Sequence, residues 1–170
     1  MRCPDCGHEN VPGADECQEC GVSLWGFEPQ GNEVEQGICA HSISVLCPRQ
    51  PVCVAPETPV REVIAEMADK HIGCVLVEES ANLLGVFSER DALNKVALDP
   101  EGLDRPVSDF MTASPATATK TDSIGFVLQT MDIGGYRHVP IVNSANIATG
   151  VVSSRDILRF MAVRYARSRE

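Results

Sequence analysis

Four cysteines crowd the first twenty residues in two Cys-x-x-Cys-Gly knuckles, Cys3-Pro-Asp-Cys6-Gly7 and Cys17-Gln-Glu-Cys20-Gly21, with ten residues between them. Each knuckle turns two thiolates to one side, and its glycine supplies the positive φ that such a turn tends to need. Four converging sulfurs at about 2.3 Å suit tetrahedral Zn²⁺, which is redox-inert and accepts an all-thiolate shell. With every position filled, water and substrate have no way in, so the centre is expected to be structural. An iron site, a redox-active Cys-x-x-Cys and a pair of disulfides are the alternatives. His8 is expected beside the site rather than in it.

A second set of chemically capable residues occurs twice. Gly85-Val-Phe-Ser88-Glu-Arg90-Asp91-Ala-Leu93 returns 65 residues later as Gly150-Val-Val-Ser153-Ser-Arg155-Asp156-Ile-Leu158. Upstream the match runs at an offset of 64, with Pro51 against Pro115, Val63 against Val127 and Met67 against Met131, so one extra residue is expected around Gly134-Gly135. Two copies of a small unit can enclose a shared cleft lined twice by the same polar residues. In both strings Ser and Asp stand three apart where a helix should begin, the spacing of a capping box on free helix-start amides. The same groups could instead receive a ligand, whose anionic oxygens suit the free N–H groups of a helix start. The string alone favours the cap, and duplication does not decide, because a cap would be duplicated too.

These residues need elements to hold them. Thr58 and Asp122 are placed to cap helices whose apolar positions follow helical spacing: Val60, Val63, Ile64, Met67, then Ile124, Val127, Leu128, Met131. A strand follows (74–77; 138–142), then a polar turn (79–82; 143–146), a second strand (84–87; 149–152) and a helix from Ser88 or Ser153. Short extended runs at 51–54 and 115–118 lead into each copy. Neither copy hides its sheet alone, which favours an intimate pseudo-twofold pair. Residues 28–37 are polar, glycine-containing and aperiodic, as a linker would be. Cys39-Ala-His41 suggests a second metal site but lacks neighbouring ligands, so Cys47 and Cys53 are expected as buried or half-buried thiols.

The bulk properties narrow the function. A net charge of −10 over 170 residues opposes general attraction to nucleic acid or anionic lipid. Residues 1–28 carry six acidic residues against the single base Arg2, so the cysteine unit suits docking or assembly better than phosphate binding. No segment is long and apolar enough to cross a bilayer and the start has no signal-peptide stretch, so a cytoplasmic protein is expected. No Walker loop, GxGxxG or open metal shell is present, and no enzymatic activity is expected. The last helix carries a basic outer face from Arg159 to Arg169.

Residues 1–26 resemble the short zinc ribbons found at the ends of many microbial proteins. The duplicated region resembles a tandem pair of CBS domains, a Bateman module, through Pro51-Val-Cys-Val with Thr58-Pro-Val-Arg-Glu-Val, Tyr136-Arg-His-Val-Pro-Ile-Val142 and the two Gly-h-h-Ser-x-x-Asp strings (h apolar). The resemblance implies an α+β fold of two (β)αββα repeats packed with pseudo-twofold symmetry, at 43–98 and 107–165, after a ribbon (1–26) and a linker (27–42). It further implies a regulatory module holding an adenosyl ligand (AMP, ADP, ATP or S-adenosylmethionine) between the repeats, a homodimer, and a regulated protein partner. On that resemblance Asp91 and Asp156 accept ribose hydroxyls, and Ser88 and Ser153 lie where phosphate oxygens arrive. Adenine would read backbone groups around Val54 and Ala118.

Eighteen residues before Asp156 stands His138, preceded by Arg137; eighteen before Asp91 stands Gly73, preceded by Ile72. In the family, basic groups at this place meet phosphoryl oxygens. The resemblance therefore implies one competent phosphate-bearing site built mainly on the second repeat, and a weaker or empty first. A structural adaptor with idle clefts and a zinc or thiol redox switch are the competing functions.

Overall fold

The structure, a computed structural model, describes residues 1–11, 14–24, 38 and 40–167. Trp25, Phe27, the expected linker over 28–37 and Cys39 lie outside the described residues.

Two copies of one pattern follow each other. The first comprises β1 (Cys53–Val54), α1 (Val60–Asp69), β2 (Cys74–Glu79), β3 (Asn82–Ser88) and α2 (Glu89–Asn94). The second comprises β4 (Thr112–Ala113), α3 (Ile124–Gly134), β5 (His138–Val142), β6 (Ala148–Ser153) and α4 (Ser154–Arg167). Each opens with a 3₁₀ turn, Ile43–Leu46 or Val107–Asp109. Val75 and Val77 point from β2 into a core with Val60, Val63, Met67 and Phe87. Cys74 and Leu76, alternating with them, face Ala148 and Val151 of the other copy. A strand buried on both faces reads as an unbroken apolar run, as Cys74-Val-Leu-Val77 does.

The lead-in segments do more than the sequence suggested. Each pairs first with the opposite copy and then with its own. Arg49 bridges Val151 of the second copy before β1 runs parallel to β2, with Cys53 opposite Leu76. In the same way Thr112 and Ala113 pair antiparallel with Val86 and Gly85 of the first copy before Ala118 bridges Ile141. The two halves therefore exchange strands reciprocally, which secures the interlock.

Strand register moves the extra residue. Cys74 pairs with Ser88 and Val77 with Gly85; His138 pairs with Ser153 and Ile141 with Gly150. The offset of 64 thus persists through β5 and becomes 65 only beyond the hairpin. Ser80-Ala81, both at positive φ (50° and 65°), close the first hairpin as a two-residue turn. The second loop, residues 143–147, takes in the extra residue, since Val142 pairs with Ala148 where Glu78 pairs with Leu83, and it is organised by Asn143, whose Oδ1 accepts from the N–H groups of Ala145 and Ile147. Gly135 does not mark an insertion; at φ 65° it closes the end of α3.

The expected helix caps shift by one residue. Pro59 precedes α1 without a side-chain cap, and Ser123 rather than Asp122 caps α3, accepting from Phe126 N–H at 3.0 Å. Asp122 instead accepts from Thr119 N–H at 2.7 Å. Leu128 is exposed, while Phe126 and Thr130 are buried. Cys47 and Cys53 are exposed, against expectation, and among the described residues beyond the knuckles Cys74 is the buried thiol. Among the described residues no helix is long and apolar enough to cross a membrane.

Candidate functional site

The two knuckles are themselves a repeat. Cys3 N–H donates to His8 O and Gly7 N–H to Cys3 O; Cys17 N–H donates to Val22 O and Gly21 N–H to Cys17 O. Gly7 and Gly21 adopt φ 75° and 71°, as the turns require. All four sulfurs lie within 4.8 Å of one another, with Cys3–Cys20 and Cys6–Cys17 at 3.6 Å. Sulfurs at the corners of a tetrahedron with bonds of about 2.3 Å stand about 3.8 Å apart, so the spacing fits a thiophilic ion. Buried Asn10 ties the halves together, donating to Cys17 Sγ and accepting from Gln18 N–H. Burial opposes ionisation of Cys17, yet the Cys20 and Glu19 backbone N–H groups and Asn10 bring its pKa down to about 6. His8 contributes its carbonyl to the turn rather than its ring.

Strand exchange carves two clefts between the repeats. The first, about 480 Å³, is walled by Asp91 and Ser88, by Thr112, Pro115 and Ala116 of the opposite lead-in, and by the turn from Gly134 to His138. The second, about 400 Å³, is its counterpart: Asp156 and Ser153, then Arg49 to Val52, then His71 to Cys74. The lead-in residues at the clefts are Val52 and Ala116. Val54 and Ala118, expected there, lie two residues further on, where Ala118 is buried in the core.

Both Ser-x-x-Asp strings close capping boxes. Ser88 N–H and Oγ donate to Asp91 Oδ2 at 3.0 and 2.6 Å; Ser153 N–H and Oγ donate to Asp156 Oδ2 at 2.9 and 2.6 Å. The hydroxyls are thereby committed to the carboxylates. The remaining oxygens differ. Asp91 Oδ1 accepts from Lys95 Nζ at 2.6 Å and from Thr112 Oγ1 at 3.3 Å. Phe160 and Pro48 occupy the equivalent places around Asp156, and neither can donate there. Asp156 Oδ1 has no partner among the described residues.

Arg137 and His138 line both clefts rather than one. Strand register makes them the counterparts of Gly73 and Cys74, not of Ile72 and Gly73 as simple counting suggested. The contrast survives the correction: a guanidinium and an imidazole on one side, a hydrogen and a thiol on the other. A Cβ on Gly73, which lines both clefts, would stand 3.0 Å from the His138 ring and 3.6 Å from Glu89, so glycine leaves room for the imidazole. Burial lowers the His138 pKa; Glu89 and Asp156 raise it against that, and Arg137 and Arg155 lower it further.

The clefts differ in charge. Arg49, Arg137 and Arg155 line the second and form no ion pair among the described residues. In the first, Arg90 donates to Gly135 O across the repeats, and Tyr136 folds over Gly134 where a Cβ would strike its ring. Counting from Asp156 missed Arg49, although its counterpart Ala113 is uncharged.

The family model for the CBS domain matches residues 44–98 and 107–163. An uncharacterised 17.7 kDa protein of Acidianus ambivalens is 30% identical over 121 residues, covering 71% of this chain and 73% of that one. An arabinose 5-phosphate isomerase of Francisella tularensis is 26% identical over 106 residues, covering 62% of this chain but 32% of the enzyme. The solved structure of a CBS domain protein from Pyrobaculum aerophilum complexed with AMP superimposes with a TM-score of 0.63 at 30% identity, over 72% of this chain and 99% of that one. The chain belongs to the CBS domain family, as a tandem pair whose two halves share strands.

Proposed function

We propose that the chain is a non-enzymatic regulatory module that binds a phosphate-bearing adenosine ligand in the cleft of Asp156. The free Oδ1 of Asp156 carries this reading, since a carboxylate beside three unpaired guanidinium groups suits a ligand with both hydroxyls and phosphate. Asp156 accepts the ribose hydroxyls while its other oxygen continues to cap α4. Arg137 and His138, with Arg49 and Arg155, meet the phosphate, and Val52, Ile72, Val151 and Leu158 offer the base an apolar wall. Ser153 acts by holding Asp156. The AMP complex of the Pyrobaculum relative supports the ligand class. The cleft of Ser88 and Asp91 is the weaker site, because Lys95 already neutralises its carboxylate. Cys3, Cys6, Cys17 and Cys20 hold structural zinc, and the CBS pair forms a homodimer that presents the ligand state to a protein partner.

Thermal-shift titration with AMP, ADP, ATP and S-adenosylmethionine tests the reading. A ligand at a hundredfold its Kd stabilises by about 2.7 kcal/mol, which a shift in the unfolding midpoint reports. No shift with any of the four at millimolar concentration would leave the clefts without this role.

A further inference from the structure

The outer faces of α1 and α3 differ where the repeat predicts likeness. At two matching positions α1 carries exposed Glu62 and half-buried Glu66, whereas α3 carries buried Phe126 and Thr130. The amino-terminal unit lies against that face. The Arg2 guanidinium stands 5.4 Å from the centre of the Phe126 ring and 3.6 Å from Asp122, just before α3. Thr130 Oγ1 lies 3.5 Å from Pro4 O. Arg2 and Pro4 flank Cys3, so the residues that touch α3 are the neighbours of a metal ligand.

A unit this small cannot hold its own shape by burial. Among the described residues its buried apolar core is Cys3, Cys17 and Leu24, and two of those three belong to the four-sulfur cluster. Segments with so little core fold when metal binds and unfold when it leaves. Without the ion, Arg2 and Pro4 lose their fixed positions and Phe126 loses its cover.

We infer that the four-cysteine unit is a metal-dependent clamp on α3, so that metal occupancy governs the order of the second repeat and not of the first. The end of α3, Gly134 through Tyr136, walls the cleft of Asp91, which places the clamp one helix away from a ligand cleft. The inference rests on the metal reading of the cysteines and is independent of the nucleotide reading.

Hydrogen–deuterium exchange on the full chain tests it, with metal content measured in parallel before and after a chelator and after zinc is restored. On metal removal, amides of α3 should exchange about tenfold faster, reversibly, while those of α1 stay unchanged as the internal control. Arg2→Ala should keep its metal and still lose part of the α3 protection. A chain that binds no metal would remove the metal reading itself. A chain that loses metal with α3 protection intact, or with α1 opening equally, would overturn the clamp.

Discussion

Lys95 Nζ stands 2.6 Å from Asp91 Oδ1, one helical turn away, and Phe160 takes the matching place beside Asp156. With the exchange of Thr112 for Pro48, this substitution separates a carboxylate engaged within the protein from one with an oxygen to spare. A hydrogen bond to a charged group contributes about 1.5–3 kcal/mol. Asp156→Ala should therefore weaken AMP binding by about tenfold to a hundredfold, measured by calorimetry. Asp91→Ala should leave affinity within about threefold but lower stability by about 1–2 kcal/mol through loss of its cap. Equal loss of affinity in both variants would refute the assignment.

The strand exchange makes two glycines unequal. A Cβ on Gly85 would collide with Met111 and come within 2.9 Å of Thr112 O, a backbone atom fixed by pairing. On Gly150 the nearest approaches are 3.0 Å to Pro48 Cβ and 3.4 Å to Arg49 O. Gly85→Ala should cost about 1–3 kcal/mol in chemical denaturation and Gly150→Ala less than half of that. The reverse order would contradict the crossing of β4 onto β3.

His138 gives the unliganded protein a pH signature. Burial holds its folded pKa below the usual value of about 6.5. As pH falls, the unfolded chain takes up the proton first, so its contribution is complete above about pH 6.5 and declines below, until the lowered folded pKa is reached. The unfolding midpoint should fall between about pH 7 and pH 5.5, and His138→Gln should flatten that slope. An identical slope in the variant would show that other groups set it.

Metal analysis should return one zinc per chain, and Cys17→Ser should lose it. Structural zinc carries the folding energy of such units, so the variant should expose residues 1–24 to proteolysis while the first repeat, 43–98, stays resistant. Full zinc retention by the variant would point to a different ligand set.

Much of this was legible in the residues. The duplication, the strand–strand–helix order and the knuckles follow from period, spacing and turn chemistry. The insertion was misplaced because Gly134-Gly135 looks like added slack, whereas a hairpin absorbs a residue without disturbing either strand. The exchange was hidden because a two-residue run such as Thr112-Ala113 pairs with whichever edge is near. Lys95 four residues after Asp91 was a readable signal, and comparison with Phe160 would have found it. The burial of Phe126 and Thr130 was not readable, since it depends on a segment more than a hundred residues away.

Because each half lends the other an extended segment, a gene encoding only residues 43–98 would yield a polypeptide with a bare edge on β3 and an orphaned stretch around Arg49. Those two features complement each other. Two such fragments would supply one another's missing strand, so truncation should produce a swapped pair of identical pieces, the symmetric ancestor from which fusion and divergence could have made this molecule.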